Sequence, residues 1–420
     1  MKSDCLFGKL TPVFAVVIGV VILFSPQAWA GIKYKVLHNF GSSGDGTLPY
    51  GPLVLDRKGN LYGLTFTGGT GQCSDYGCGV VFELTPQANG KWPEQILHDF
   101  TSGGDGSTPS GGLIFDGAGN LYGTTVGSPD GTPSTVFQLT PGAHGWNHTV
   151  LYDNGAGPGL LLDKSGNLYG AIGPGDYYGV GAIGELSSGS NGWTYTQLYP
   201  FCSQYRCEDG YGPPVPPIWD RRGNLYGTTT DGGIGQPACW TFAGCGVIFE
   251  MTPNGDGTWT YHILHRFASS ATDGQTPYGG LVMDASGNFY GTTEYGGDKG
   301  NGTVFQFSFT GGRWKKTVLY DFPRHAEGWG PDTTLVFDKK GNLYGAGGGG
   351  NVDCGPYTCG TVFKLTPQKN GKWKYSVLHK FNSKDGAFPW GVIVDSKGNI
   401  FGTTENGGTY NSGVAFEITP

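Results

Sequence analysis

The sequence predicts an all-β fold: a seven-bladed β-propeller of four-stranded antiparallel blades, closed by an N-terminal strand that completes the last blade. Three observations predict it. A short pattern, Asp-x-x-Gly-Asn followed by an apolar residue, an aromatic and a glycine, occurs seven times, starting at Asp56, Asp116, Asp163, Asp220, Asp284, Asp338 and Asp395. Each copy resolves into four short segments of strand character. The last copy runs out at Ile418-Thr419-Pro420, one segment short, while a matching fourth segment stands at Tyr34 to Phe40. Supplying it from the N-terminus closes a ring and removes the free sheet edges of an open array.

Composition supports a folded chain. Its 420 residues include 79 glycines and 26 prolines, but also 14% aromatic and only 14% charged residues. Disordered chains lack aromatics and carry more charge, so the glycines read as turn residues between strands. Residues 1–30 read as a secretory signal peptide and 31–420 as the propeller: Lys2 and Lys9 precede an apolar run from Pro12 to Phe24, and Ala28-Trp29-Ala30 has the small-x-small form of a cleavage site. That run is shorter than the roughly 20 residues a helical span needs. An uncleaved anchor is the alternative. No later segment is apolar enough to span, so the protein is expected to be secreted, periplasmic or at the cell surface.

The second copy displays the four strands in order. Gly112 to Phe115 leads into the turn at Asp116, Asn120 to Thr125 follows, then Thr135 to Leu139, and finally Trp146 to Tyr152. All are rich in β-branched and aromatic residues, and helical periodicity is absent. The third strand recurs as Val81-Phe82-Glu83-Leu84, Ile248-Phe249-Glu250-Met251, Val304-Phe305-Gln306-Phe307, Val362-Phe363-Lys364-Leu365 and Ala415-Phe416-Glu417-Ile418. Its alternation fits a strand with one buried face.

The recurrent polar residues read as scaffold. A calcium loop needs several carboxylates at alternate positions, whereas each Asp-x-x-Gly-Asn unit offers one, so it is expected to form a hairpin with the aspartate accepting backbone N–H bonds and the glycine at positive φ. His38, His98, His265 and His379 share a fourth-strand position that other copies fill with Tyr152, Tyr199 and Tyr320. Interchange of histidine and tyrosine fits packing better than a catalytic base. Gly179 to Gly184 formally matches G-x-G-x-x-G but has no helix after it and is not a cofactor loop. No cofactor and no metal are expected.

Apart from Cys5, the cysteines form four close pairs, Cys73/Cys78, Cys202/Cys207, Cys239/Cys245 and Cys354/Cys359. Behind an export signal such pairs read as disulfides that staple loops. A four-cysteine zinc site built from Cys202, Cys207, Cys239 and Cys245 is the weaker alternative, because the spacing within each pair is wide.

Loops from fourth to first strands and from second to third strands emerge on one face, which holds all eight of these cysteines. An acidic-Gly-x-x-Pro motif recurs there, contributing Asp45, Tyr50, Asp105, Asp273, Tyr278, Asp385 and Trp390, with Asp209, Glu327 and Trp329 in corresponding loops. Stapled loops display Tyr76, Tyr205, Trp240 and Tyr357. Aromatics fixed beside acids suit stacking on sugar rings or docking a protein, and these fourteen residues are the candidate ligand-binding set.

The units Gly223 to Thr229 and Gly287 to Thr293, with Val81 to Pro86 and Val362 to Pro367, resemble the GloVer tandem repeat of exported "choice-of-anchor" bacterial proteins. The resemblance spans nearly the whole chain after the signal. It implies export and a repeat fold and brings no established activity. The third copy has drifted, with Ile183-Gly184-Glu185-Leu186 in place of Val-Phe-Glu-Leu. A more distant similarity to lyase and lactonase propellers keeps an enzyme in view.

The favoured function is a binding or interaction module, since no G-x-S-x-G, Walker or H-E-x-x-H pattern is present. A polysaccharide or lactone lyase or hydrolase is the first alternative and a structural envelope protein the second. A glycan or protein partner is expected and the chain is expected to be monomeric. Net charge of −7 without a basic run leaves no electrostatic basis for binding nucleic acid.

Overall fold

The computed structural model describes residues 31–420 except 74–75, 102, 128–130, 174–180, 234–238, 240–243, 269, 271, 324–329, 350–352 and 355–356, with backbone alone at 353–354 and 357–358. The expected signal segment lies outside the described residues. Residues 32–420 form one compact unit. Seven antiparallel sheets are the blades of a β-propeller, six of four strands and one of five, in blade one, where two short strands, Gly46–Pro49 and Val54–Leu55, both pair with Leu61–Gly68. No α-helix occurs among the described residues; a short 3-10 turn spans Tyr205–Cys207.

Blade two shows the unit: Pro109–Phe115, Leu121–Thr125, Val136–Gly142 and Gly145–Tyr152, each paired with the next. In blade seven, Ala387–Val394, Ile400–Asn406 and Val414–Thr419 are completed by Lys33–Asn39, with Tyr34 opposite Ile418 and Val36 opposite Phe416. The N-terminal strand therefore closes the ring, as the offset of the copies predicts.

The blades pack through large third-strand side chains. Phe82, Phe137, Phe249, Phe305, Phe363 and Phe416 are essentially inaccessible to solvent. Each lies opposite the glycine that ends the Asn-apolar-aromatic-Gly unit, for example Gly63 against Phe82 and Gly402 against Phe416. A Cβ on those glycines would come within 2.4 to 2.7 Å of the phenyl ring, so the glycine is kept for close approach. Blade three explains its own drift: Gly184 replaces the phenylalanine, and the Tyr195 ring occupies the space above it.

The Asp-x-x-Gly-Asn turn is a hydrogen-bonded hairpin. Asp56 Oδ1 accepts from the backbone N–H groups of Lys58 and Asn60, both at 2.8 Å, and Oδ2 accepts from the Asn60 amide at 3.0 Å. The same three bonds recur at Asp116, Asp163, Asp220, Asp284, Asp338 and Asp395. Gly59 takes φ 93°, which a side chain would strain. These carboxylates are fully engaged in the scaffold.

A bulge in every fourth strand sets the geometry between blades. The pairing of third and fourth strands skips Leu37, Leu97, Leu151, Leu198, Leu264, Leu319 and Leu378. One inserted residue reverses the alternation of faces. The histidine or tyrosine after the leucine thus points toward the following blade, while the residue two positions after the strand's opening Trp points toward the preceding one. Seven inter-blade seams result.

Candidate functional site

The seams account for the histidines and for most of the acidic candidates. His98 stacks on His148 with ring centroids 4.0 Å apart, Tyr199 on Tyr261 at 4.0 Å, Tyr320 on Tyr375 at 4.1 Å and His379 on Tyr34 at 3.8 Å. The loop acid then braces the seam. His38 Nε2 lies 3.1 Å from Asp45, His98 Nε2 3.2 Å from Asp105, His265 Nε2 3.0 Å from Asp273 and His379 Nε2 3.2 Å from Asp385. Asp209 accepts from the Tyr199 hydroxyl at 2.9 Å and from the Ser203 N–H at 2.9 Å. Backbone N–H groups also donate to the others, as Gly46 does to Asp45 and Gly274 to Asp273. All five carboxylates face turns and strands of their own seams.

Two seams carry charge where the others carry rings. At Asp273 the partner is Lys316, which reaches the carboxylate from the next blade. Burial alone would raise the Asp273 pKa, but His265 and Lys316 outweigh it and hold the carboxyl well below its usual range. In the first seam the partner is Glu94, whose Oε2 is 3.7 Å from His38 Nε2 and whose Oε1 has no hydrogen-bond partner. Burial, then the proximity of Asp45, pushes Glu94 up to about 9. His38, Asp45 and Glu94 place their ligand atoms within 4.8 Å of one another, the trio among the described residues compact enough to hold a metal ion. With Glu94 protonated, a hydrogen bond to Asp45 occupies that position instead.

A different environment lies at the propeller axis. The residue following the loop proline is Tyr50, Tyr278, Asp332 or Trp390 in four blades, and these side chains line a cavity of about 250 Å³ together with Pro158 and Pro214. Each of these residues enters at the same point of its repeat, where the chain turns into the innermost strand. A second cavity of about 350 Å³, on the side of blades two to four, shares Pro158, Pro214 and Tyr278 as walls and is lined elsewhere by small residues such as Gly155, Ala156 and Gly157.

The aromatic wall is built by Tyr50 and Trp390, whose centroids are 4.0 Å apart with planes inclined at 44°. Phe66 backs Tyr50 at 5.4 Å, and the Trp390 indole N–H donates to Glu405 at 3.3 Å. Tyr50 and Tyr278 are linked through their hydroxyls. Opposite them stands Asp332, whose Oδ1 is closed off from solvent and has no hydrogen-bond partner. Burial, then the negative charge of Glu294 and Glu405, raises Asp332 to about 7. Glu294 is itself raised by burial. Among the described residues, no lysine, arginine or histidine lines either cavity.

Of the sequence candidates, the structure brings Tyr50, Tyr278 and Trp390 together at the mouth and assigns Asp45, Asp105, Asp209, Asp273 and Asp385 to seam hydrogen bonds. Tyr76 and Tyr205 project from their stapled loops, 76% and 74% exposed. Trp240, Glu327 and Trp329 lie outside the described residues, as does the side chain of Tyr357. Disulfides join Cys73 to Cys78, Cys202 to Cys207 and Cys239 to Cys245, so the last four sulfurs bond within their pairs and not to a shared metal. Cys359 is also disulfide-bonded, and its expected partner Cys354 has its side chain outside the described residues. Sequence reasoning missed Glu294, Asp332 and Glu405. The signal was present: Asp332 follows Pro331 as Tyr278 follows Pro277, and both glutamates follow a Gly-Thr-Thr strand end.

Comparison with known proteins agrees with the repeat. The model of the Gloeobacter/Verrucomicrobia repeat matches residues 18–242 and 241–420. No curated protein matches the chain significantly. Among solved structures, a protein of unknown function from Dyadobacter fermentans aligns over 93% of this chain and 99% of its own at 11% identity, with a TM-score of 0.46. A Thermus thermophilus protein described as a candidate oxidoreductase (glucose dehydrogenase) aligns over 93% and 100% at 14% identity, TM-score 0.42. One from Bacteroides uniformis, described as a candidate 6-phosphogluconolactonase, aligns over 78% and 83% at 10% identity, TM-score 0.47.

Proposed function

The chain belongs to the Gloeobacter/Verrucomicrobia repeat family, and we propose that it is an exported glycan-binding module whose ligand enters the mouth of the central channel. The observation that carries this reading is the convergence of Tyr50, Tyr278 and Trp390, from blades one, five and seven, on one cavity beside Asp332, whose Oδ1 is unpaired. Sugar rings present C–H faces that stack on aromatic rings and hydroxyls that pair with carboxylates. The inclined Tyr50 and Trp390 rings offer such a surface and Asp332 an acceptor. Export completes the proposal: residues 1–30 act as the signal, and the disulfides and the family fit an extracellular or envelope protein.

A glycan array probed with wild type, Tyr50→Ala, Trp390→Ala and Tyr76→Ala tests the site. Expected is a glycan signal that falls about tenfold or more in the two mouth variants and persists in Tyr76→Ala. Binding that survives in both mouth variants refutes the location. A catalytic reading has one observation in its favour, a buried acid held near neutrality at Asp332, the form a general acid takes. Mass spectrometry of the captured glycans decides it, since cleaved or dehydrated products would replace the binding module with an enzyme.

A further inference from the structure

We infer that the sugar recognised at the channel mouth carries a free ammonium group, so that the ligand class is a glycan of de-N-acetylated hexosamine. This rests on the glycan reading above and deepens it. Charge is the first reason. Glu294, Asp332 and Glu405 come from three consecutive blades, Glu294 and Glu405 both act on Asp332, and among the described residues no basic side chain lines either cavity. Buried charge of one sign without a counter-charge is costly and is relieved by a bound cation.

The spacing of the acids separates an organic cation from a bare metal ion. A metal requires ligand oxygens drawn together around one point. Among the described residues the trio that meets this is His38, Asp45 and Glu94, in a seam. Asp332 stands outside that trio and lines a cavity of about 250 Å³ with aromatic walls. An ammonium group attached to a ring fits that arrangement: its three N–H donors answer several separate acceptors, and the adjoining C–H surface lies against Tyr50 and Trp390, where ring faces also attract positive charge.

Asp332 supplies the second reason. Its Oδ1 is buried and lacks a donor in the free protein, and a buried acceptor left unpaired is destabilising. An ammonium N–H satisfies it, whereas an N-acetyl group replaces that cation with a bulkier neutral amide. The same pairing favours the ionised carboxylate over the protonated form that burial and its negative neighbours promote. Glu405 holds the Trp390 indole by its N–H and adds negative charge beside Asp332.

Isothermal titration of the full mature chain with a glucosamine tetramer, its fully N-acetylated counterpart and cellotetraose tests the inference. The free-amine tetramer is expected to bind about tenfold to a hundredfold more tightly than either neutral oligomer. Asp332→Asn, with folding checked by circular dichroism, is expected to erase most of that preference while retaining the weaker neutral binding. Glu405→Gln should reduce the preference in the same direction. Equal affinities for the three oligomers, or a preference for the acetylated one, overturn the ammonium assignment and leave glycan binding standing. Absence of binding to all three, matched by an empty glycan array, overturns both.

Discussion

The rim seams and the channel mouth are built from the same repeat and resolve their polar groups in opposite ways. At the rim, each loop acid finds donors in its own turn and strand: Asp209 takes the Tyr199 hydroxyl and the Ser203 N–H, and Asp45 takes His38 and Gly46. At the mouth, Asp332 Oδ1 finds none. The lesson is that repetition satisfies what every blade must do. A residue that leaves its polar atom unsatisfied at a position where the copies differ is the one available to a ligand. Blade one adds an intermediate case, because Glu94 introduces a buried acid into a seam and Oε1 stays unpaired there too.

The sharpest way to break this contrast is at the closing seam. Tyr34 stacks on His379, meets Phe381 and Phe416 edge-on or inclined, and donates its hydroxyl to the Asp385 carbonyl at 2.5 Å. Tyr34→Ala is expected to lower stability by about 3 kcal/mol, from lost packing and an unpaired carbonyl. Urea unfolding measures it, and an unchanged midpoint would remove the rim from the account of ring closure.

A smaller effect distinguishes the two charged seams by sign. Glu94 is raised from 4.5 to about 9, so the folded state keeps a proton that the unfolded chain loses above pH 4.5, and stability falls as pH rises through that window. Glu94→Gln is therefore expected to match wild type near pH 4 and to exceed it by about 1–2 kcal/mol at pH 8. The Asp273 seam runs the other way. Its carboxyl is lowered, so its contribution is present above the ordinary aspartate pKa and is lost as the solution is acidified below it. Thermal unfolding of Glu94→Gln and Asp273→Asn across pH 3 to 9 should give opposite slopes relative to wild type; parallel curves would show that the two seams do not differ electrostatically.

The smallest expected effect lies on the stapled loops. Tyr76 and Tyr205 are mostly exposed, and Tyr76→Ala and Tyr205→Ala are expected to shift stability by less than about 0.5 kcal/mol. A larger loss in a denaturation curve would move these rings from display to packing.

Much of this was legible in the residues. Asp-x-x-Gly-Asn implied its own hairpin because all the partners lie within four positions, from Asp56 to Asn60. Ring closure was legible because Tyr34 to Phe40 repeats the pattern of Val377 to Phe381. The seam acids were harder to place. Asp45, Asp105 and Asp273 sit in a loop motif that equally suits a ligand, and only the bulge at Leu37, Leu97 and Leu264 directs the neighbouring histidine back toward them. Asp332 was obscured for another reason: its nearest charged neighbours, Glu294 and Glu405, are separated from it by 38 and 73 positions, the differences 332 − 294 and 405 − 332.

The sequence by itself determined the strands, their turns, the number of blades and the closing strand, because each depends on periodicity and short-range hydrogen bonding that a repeated motif spells out. The tertiary structure decided which polar groups are left over. Copies of one position from several blades meet at the axis, and whether a carboxylate there is solvated, paired or stranded depends on what the other blades present. For Asp332 they present aromatic rings and two further acids.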